Sequence, residues 1–264
     1  MPMFRRSSPA ALASLVLMLA FAGCADDGVV YDNGTSAPVT GNWQISTATA
    51  KVALPSVSGQ LTATGTELSG VLHANTATNC VTAQDPIGVT GTTDANRRVT
   101  LTGQVAGGKL LVTGTLGADG RSLSDATYTV DGGQCGFVEP ALATVQNYSA
   151  VTGSYSGSFF DPDGRVITIT ANLTQSPDGD SDGNFQLSGT ATLGQNGCFG
   201  SQVNVVNSQV TGGTFTLTYA DGTANDSVTA TGTFSTDGKT LNVTKWTLTG
   251  ACGPDAGTGL LAKQ

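Results

Sequence analysis

Histidine, glutamate and positive charge are nearly missing from this 264-residue chain, which has one histidine (His73), two glutamates (Glu67 and Glu139), and 11 basic against 19 acidic residues. Each shortage closes off a kind of chemistry. A lone histidine allows a Ser-His-Asp or Cys-His arrangement at most once, and only beside a free nucleophile, so the chain is not expected to be an enzyme of that kind. Without paired carboxylates that recur along the chain, glycoside hydrolysis has no evident acid and base. The acidic excess repels phosphate backbones and argues against nucleic acid as a partner. Zinc lacks its usual ligands, since the cysteines show no CxxC spacing and no histidine lies near them. Aromatic residues make up 6% of the chain, so cores will consume most of Trp43, Trp246, Phe215 and Phe234 and leave few exposed platforms for stacking.

Glycine and threonine dominate what is present. There are 36 glycines, and no extended apolar stripe has helical period. Threonine is β-branched and suits a pleated, half-wetted surface, while this much glycine and threonine weakens any helix. Short runs alternate strictly: Phe215, Leu217 and Tyr219 with Thr214, Thr216 and Thr218, and Ile167, Ile169, Ala171 and Leu173 with Thr168, Thr170 and Asn172. That is the period of strands with one greasy face and one hydroxyl face. Asp-Gly pairs at 119, 163, 221 and 237 separate such runs, and Asp-Gly supplies the positive φ of a tight type I′ hairpin.

An internal repeat organises these strands. Thr113-Gly114-Thr115-Leu116 matches Thr231-Gly232-Thr233-Phe234, Leu123 matches Leu241, Tyr128 matches Trp246, and Leu68-Ser69-Gly70 matches Leu187-Ser188-Gly189. Gly41-Asn42-Trp43 corresponds to Gly153-Ser154-Tyr155, Cys80 to Cys198 and Cys135 to Cys252, whereas His73 corresponds to Thr192. The expected organisation is a leader over 1–23, a polar tether over 24–40, one copy over 41–146, a linker over 147–152 and a second copy over 153–264. The expected fold class is all-β, with two tandem antiparallel meanders of about eight strands, each closed into a small up-and-down barrel that leaves no exposed edge. A flattened β-sandwich is the alternative.

The leader carries an address. Arg5 and Arg6, an apolar stretch over 10–21 and small residues at Ala22 and Gly23 form the three parts of a signal peptide. It is too short to stay in a bilayer as a spanning helix. Phe21-Ala22-Gly23-Cys24 resembles the lipobox of bacterial lipoproteins, with Phe21 where that family usually has Leu. The resemblance implies a diacylglyceryl group on the Cys24 thiol, cleavage after Gly23 and acylation of the freed amine. It implies anchoring in the cell envelope, and Ala25 rather than Asp after the cysteine favours the outer membrane. The alternative is an ordinary signal peptide with Cys24 an incidental thiol. Loss of Arg5 and Arg6 with the leader brings the net charge to about −10.

The four remaining cysteines, Cys80, Cys135, Cys198 and Cys252, are even in number in an exported chain, which suggests disulfides. The repeat selects Cys80 with Cys135 and Cys198 with Cys252 among the three possible pairings. Each bond would close a loop of roughly 55 residues, worth roughly 4 kcal/mol on a chain-entropy basis.

Gly41-Asn42-Trp43 ahead of a strand meander also resembles the opening of lipocalin-type and avidin-type barrels, in which the tryptophan plugs a closed end. The plainer reading of Trp43 is a core aromatic. Asp178-Gly179-Asp180-Ser181-Asp182-Gly183-Asn184 resembles the first half of a DxDxDG calcium loop, which makes Asp178, Asp180 and Asp182 candidate calcium ligands. Gly189 stands where such a loop places its bidentate glutamate, and the alternative is a solvated hairpin loop. No other cofactor is expected.

These readings point to a lipid-anchored envelope protein with two non-catalytic binding modules for a small molecule, glycan or protein. The alternative is a periplasmic inhibitor or protective protein that presents a loop, at 75–84 or 194–202, to a hydrolase.

Overall fold

The computed structural model describes residues 39–47, 54–76, 85–105, 108–132, 140–194, 202–221, 226–250 and 255–264. Among them the chain is all-β and forms two closed antiparallel eight-stranded barrels, each a simple meander. The sandwich alternative is thereby overturned, because the last strand of each copy pairs with its first.

The first barrel comprises β1 (Gly41–Thr47), β2 (Val57–Thr64), β3 (Glu67–Ala74), β4 (Ile87–Thr93), β5 (Arg98–Val105), β6 (Gly108–Leu116), β7 (Ser122–Gly132) and β8 (Ala141–Tyr148). The second comprises β9 (Gly153–Phe160), β10 (Val166–Gln175), β11 (Phe185–Leu193), β12 (Val203–Thr211), β13 (Thr214–Ala220), β14 (Ser227–Phe234), β15 (Thr240–Thr249) and β16 (Asp255–Lys263). The matched segments of the repeat occupy equivalent strands: β6 and β14 carry Thr113–Leu116 and Thr231–Phe234, and β3 and β11 carry the Leu-Ser-Gly pairs. Because β8 runs to Tyr148, the link between barrels is 149–152, two residues shorter than the pattern suggested.

Strand alternation places the greasy face inward. Ile169, Ala171, Leu173, Phe215, Leu217 and Tyr219 are buried in one barrel, and Ile45, Leu61, Leu72, Leu101, Leu110 and Val112 in the other. Each such aliphatic or phenyl side chain contributes roughly 1.5–3 kcal/mol by leaving water. Trp43 is a fully buried core residue facing Gly59 across the β1–β2 ladder, and its indole N–H donates to the Val39 carbonyl at 2.6 Å. Its counterpart Tyr155 donates its hydroxyl to the Gly238 carbonyl at 2.6 Å. Trp246 stacks on Phe159 with centroids 5.8 Å apart.

The Asp-Gly turns at 119, 163 and 237 are hairpin connections of a different kind from the type I′ expectation, and the one at 221 runs outside the described residues. Gly120, Gly164 and Gly238 have φ of 65°, 84° and 69°, but the preceding aspartates are not left-handed. Gly120 N–H donates back to the Gly117 carbonyl at 2.9 Å, and Gly238 N–H to the Ser235 carbonyl at 2.8 Å. One left-handed residue closes these longer loops. The aspartate side chain caps the turn instead: Asp119 accepts from Arg121 N–H at 3.0 Å, and Asp237 from Lys239 N–H at 3.0 Å.

Candidate functional site

Both barrel interiors are packed. A void among Trp43, Leu61, Leu68, Leu101 and Val145 in the first barrel holds about 10 Å³, room for about one water and far below the several hundred Å³ of a small-molecule pocket. The polar clefts lie instead on an outer wall and between the barrels. On the first barrel the outward positions of β2 to β5 form rows of hydroxyls set by register, in which Thr64 faces Glu67, Glu67 faces Thr92 and Thr92 faces Thr100. A groove of about 480 Å³ runs over this wall and also touches Ser69, Thr90 and Thr102.

The barrels dock end against wall. Turns at one end of the second barrel press on the outward faces of β1, β2 and β3. At the β12–β13 turn, Asn42 Oδ1 accepts from Gly212 N–H at 2.7 Å while Asn42 Nδ2 donates to the Gly212 carbonyl at 2.8 Å. Gly213 N–H donates to Gln44 Oε1 at 2.9 Å. The turn demands glycine at both positions. Gly212 has φ of 53°, and a Cβ on Gly213 would fall 2.6 Å from the Tyr148 ring. Tyr148 in turn packs edge-on against Phe234, with centroids 5.3 Å apart. Outward polar residues that would otherwise be wet are thus covered: Asn42 is 2% exposed and Ser58 0%.

The acidic loop belongs to this seam. Gly179 N–H donates to Gln60 Oε1 at 2.9 Å, Gln60 Nε2 reaches Asp178 Oδ1 at 3.5 Å, and the His73 imidazole N–H donates to the Asp182 carbonyl. Asp180 folds the loop on itself by accepting from Asp182 N–H at 3.0 Å, Asn184 N–H at 2.9 Å and Gln186 Nε2 at 3.2 Å. Asp178, Asp180 and Asp182 therefore serve separate partners. Among the described residues no three His, Cys, Asp or Glu side chains converge as a cation site, so the calcium expectation finds no ligand set here. His73 sits at the seam opposite Ser58 in the β2–β3 ladder, and its ring bonds to a backbone carbonyl.

Two clefts flank the linker, and Arg121 lines both. The larger, about 350 Å³, includes Arg121, Asn147, Tyr148, Ser149, Gln175 and Ser176, so both barrels and the linker contribute. The smaller, about 180 Å³, adds Asp119 and Asp237. Burial raises the Tyr148 phenol above its ordinary range. At the neighbouring turn the Ser235 hydroxyl, followed by Lys239, holds Asp237 down to about 2, and burial with the Asp237 charge pushes Tyr155 up to about 12. Sequence reasoning passed over Asn42, Gln44, Gln60 and Arg121; the double glycine at 212–213 was the available hint of a close approach.

Cys24, Cys80, Cys135, Cys198 and Cys252 lie outside the described residues, as do the leader, most of the tether, Glu139 and most of the loops at 75–84 and 194–202. No helix among the described residues is long and apolar enough to cross a membrane. The chain matches no protein-family model, no curated protein and no solved structure.

Proposed function

We propose that this chain is an envelope lipoprotein, held to a bilayer through lipid on Cys24, whose twin barrels are non-catalytic modules that recognise a ligand on their outer surfaces. The observation that carries the second half is the filled interior: a carrier barrel needs a lumen, whereas the void beside Trp43 in the first barrel holds only about 10 Å³ and Tyr155, Phe159, Phe215, Tyr219 and Trp246 are buried in the core of the second. The seam supports the same reading, because direct hydrogen bonds at Asn42, Gln44 and Gln60 join the modules into one surface. The lone histidine lends further support, since its ring is spent on a backbone carbonyl. The anchor half rests on Phe21-Ala22-Gly23-Cys24. Several acyl chains on one residue, each buried methylene contributing roughly 0.8 kcal/mol, would hold the protein lastingly.

Mass spectrometry of the native N-terminus tests the anchor. A lipid-modified Cys24 at the first position is expected, its modification lost in Cys24→Ser, and an unmodified amino end overturns the reading.

A further inference from the structure

We infer that the larger cleft beside the linker binds a small, singly charged, polyhydroxylated carboxylate, of which a hexuronic acid is the simplest, with Arg121 as its anion-binding group. This rests on the non-catalytic binding reading above and gives it a ligand class.

Two of the described cations are committed to carboxylates: the Arg165 guanidinium holds Asp161 at 2.6 Å and Asp255 at 2.7 Å, and Lys239 lies 3.2 Å from Asp237. Arg121 forms no ion pair among the described residues. Its backbone is fixed by Asp119 in the β6–β7 turn, and its Nη1 donates to Ser149 Oγ at 2.6 Å, which aims the guanidinium at the linker. A guanidinium presents five N–H donors in a planar fork suited to a carboxylate.

The surroundings select the ligand. The larger cleft has no aspartate or glutamate in its lining, whereas Asp119 and Asp237 repel an anion from the smaller one. One guanidinium balances one charge, and the acidic excess of the chain disfavours a dianion such as a phosphomonoester. The lining also brings amides and hydroxyls from Asn147, Gln175, Ser149, Ser176 and Thr40, which match ring hydroxyls, together with apolar surface from Tyr148, Pro177 and Phe185. At about 350 Å³ the space fits one or two sugar rings. The walls are preset, because Ser149 N–H donates to the Thr236 carbonyl at 2.9 Å and Val151 N–H to Gln175 Oε1 at 2.8 Å. A preset cleft binds with less ordering cost.

The cleft forms once per chain, since it needs both barrels. Isothermal titration of the full-length, detergent-solubilised lipoprotein with D-glucuronate should therefore give one site per chain. Arg121→Ala should weaken it at least about tenfold, with Arg121→Lys between the two. D-glucose and acetate, each holding half of the recognised chemistry, should bind at least about tenfold more weakly than glucuronate. Arg121 is exposed, so an unchanged melting temperature in Arg121→Ala verifies folding. Absent glucuronate binding, equal binding by Arg121→Ala, or glucose matching glucuronate overturns the assignment. Failure of the wider reading looks different: an unlipidated Cys24, or consumption of the titrant by both wild type and Arg121→Ala.

Discussion

Replacing Asn42 with alanine should uncouple the two barrels. Its carboxamide makes a reciprocal pair with Gly212, accepting at 2.7 Å and donating at 2.8 Å, in a place where Asn42 itself is 2% exposed. Removing that side chain leaves a buried backbone N–H and a buried carbonyl without partners. Each such group costs roughly 1–3 kcal/mol when water cannot reach it, and some relaxation at the seam is expected, so the loss should be about 2–4 kcal/mol of interaction between barrels. Gln44→Ala removes only one acceptor, that of Gly213 N–H at 2.9 Å, and should cost about 1 kcal/mol. Urea unfolding followed by far-UV circular dichroism and by tryptophan fluorescence measures this. The two probes should coincide in the parent protein and separate in Asn42→Ala, because Trp43 and Trp246 sit in different barrels. An Asn42→Ala protein whose transition stays single and within about 0.5 kcal/mol of the parent would refute the claim that this pair carries the seam.

Other expectations follow from the same structure. Leu72→Ala, at a fully buried position of the first core, should cost about 2–5 kcal/mol in chemical denaturation, and a value under about 1 would mean the core is looser than described. Asp237 is held down to about 2 from an ordinary 3.8, so the folded protein favours its charged form; the stability it gives is complete above about pH 4 and is lost as pH falls toward 2. Asp237→Asn should flatten that part of an acid melting series while leaving neutral pH behaviour similar in shape. Peptide mapping without reduction should recover Cys80 with Cys135 and Cys198 with Cys252. The strand ends that flank these pairs, β3–β4 with β7–β8 and β11–β12 with β15–β16, leave each barrel at one and the same end, and a peptide joining the two copies would refute the pairing.

The strands were legible because their burial has a period of two, and the two copies because Leu68-Ser69-Gly70 and Thr113-Gly114-Thr115-Leu116 recur at equivalent strands. Barrel closure followed from the need to hide edges. The turns were only half legible: Asp-Gly marked their position, but whether the aspartate turns left-handed or caps the loop depends on the loop length the flanking strands leave. The seam was not legible at all. Asn42, Gln44 and Gln60 occupy outward strand positions, where a polar residue reads as solvated, and the chain that covers Asn42 lies 170 residues away. Alternation tells inside from outside; it carries no information on which outside is later covered. The acidic loop was half legible for a related reason, since alternate aspartates suit both a cation shell and a self-capped turn, and its partners Gln60 and His73 belong to the other barrel. Arg121 has no motif around it and becomes visible only as the guanidinium at the linker that no carboxylate meets.

End-against-wall docking makes two similar copies unequal, and that inequality is what creates a site. In the second barrel the positions equivalent to Asn42 and Gln44 are Ser154 and Ser156, and they are used differently: Ser154 Oγ donates to Asn172 Oδ1 at 2.5 Å and Ser156 Oγ accepts from Gln264 Nε2 at 2.6 Å. Short hydroxyls of this sort cannot reach across to grip the backbone of a glycine turn as a carboxamide does. The second barrel thus has the gripping turn and the first has the gripped wall, which gives one defined pairing in place of an open-ended head-to-tail series of further copies. The same geometry sets the turn around Asp237 and Thr236 against the end of β8, pins Ser149 between them, and so holds Arg121 at the mouth of the cleft. A single barrel of this type, packed to its centre, has only its wall to offer. Joined in this way, two of them enclose polar ground that neither has alone.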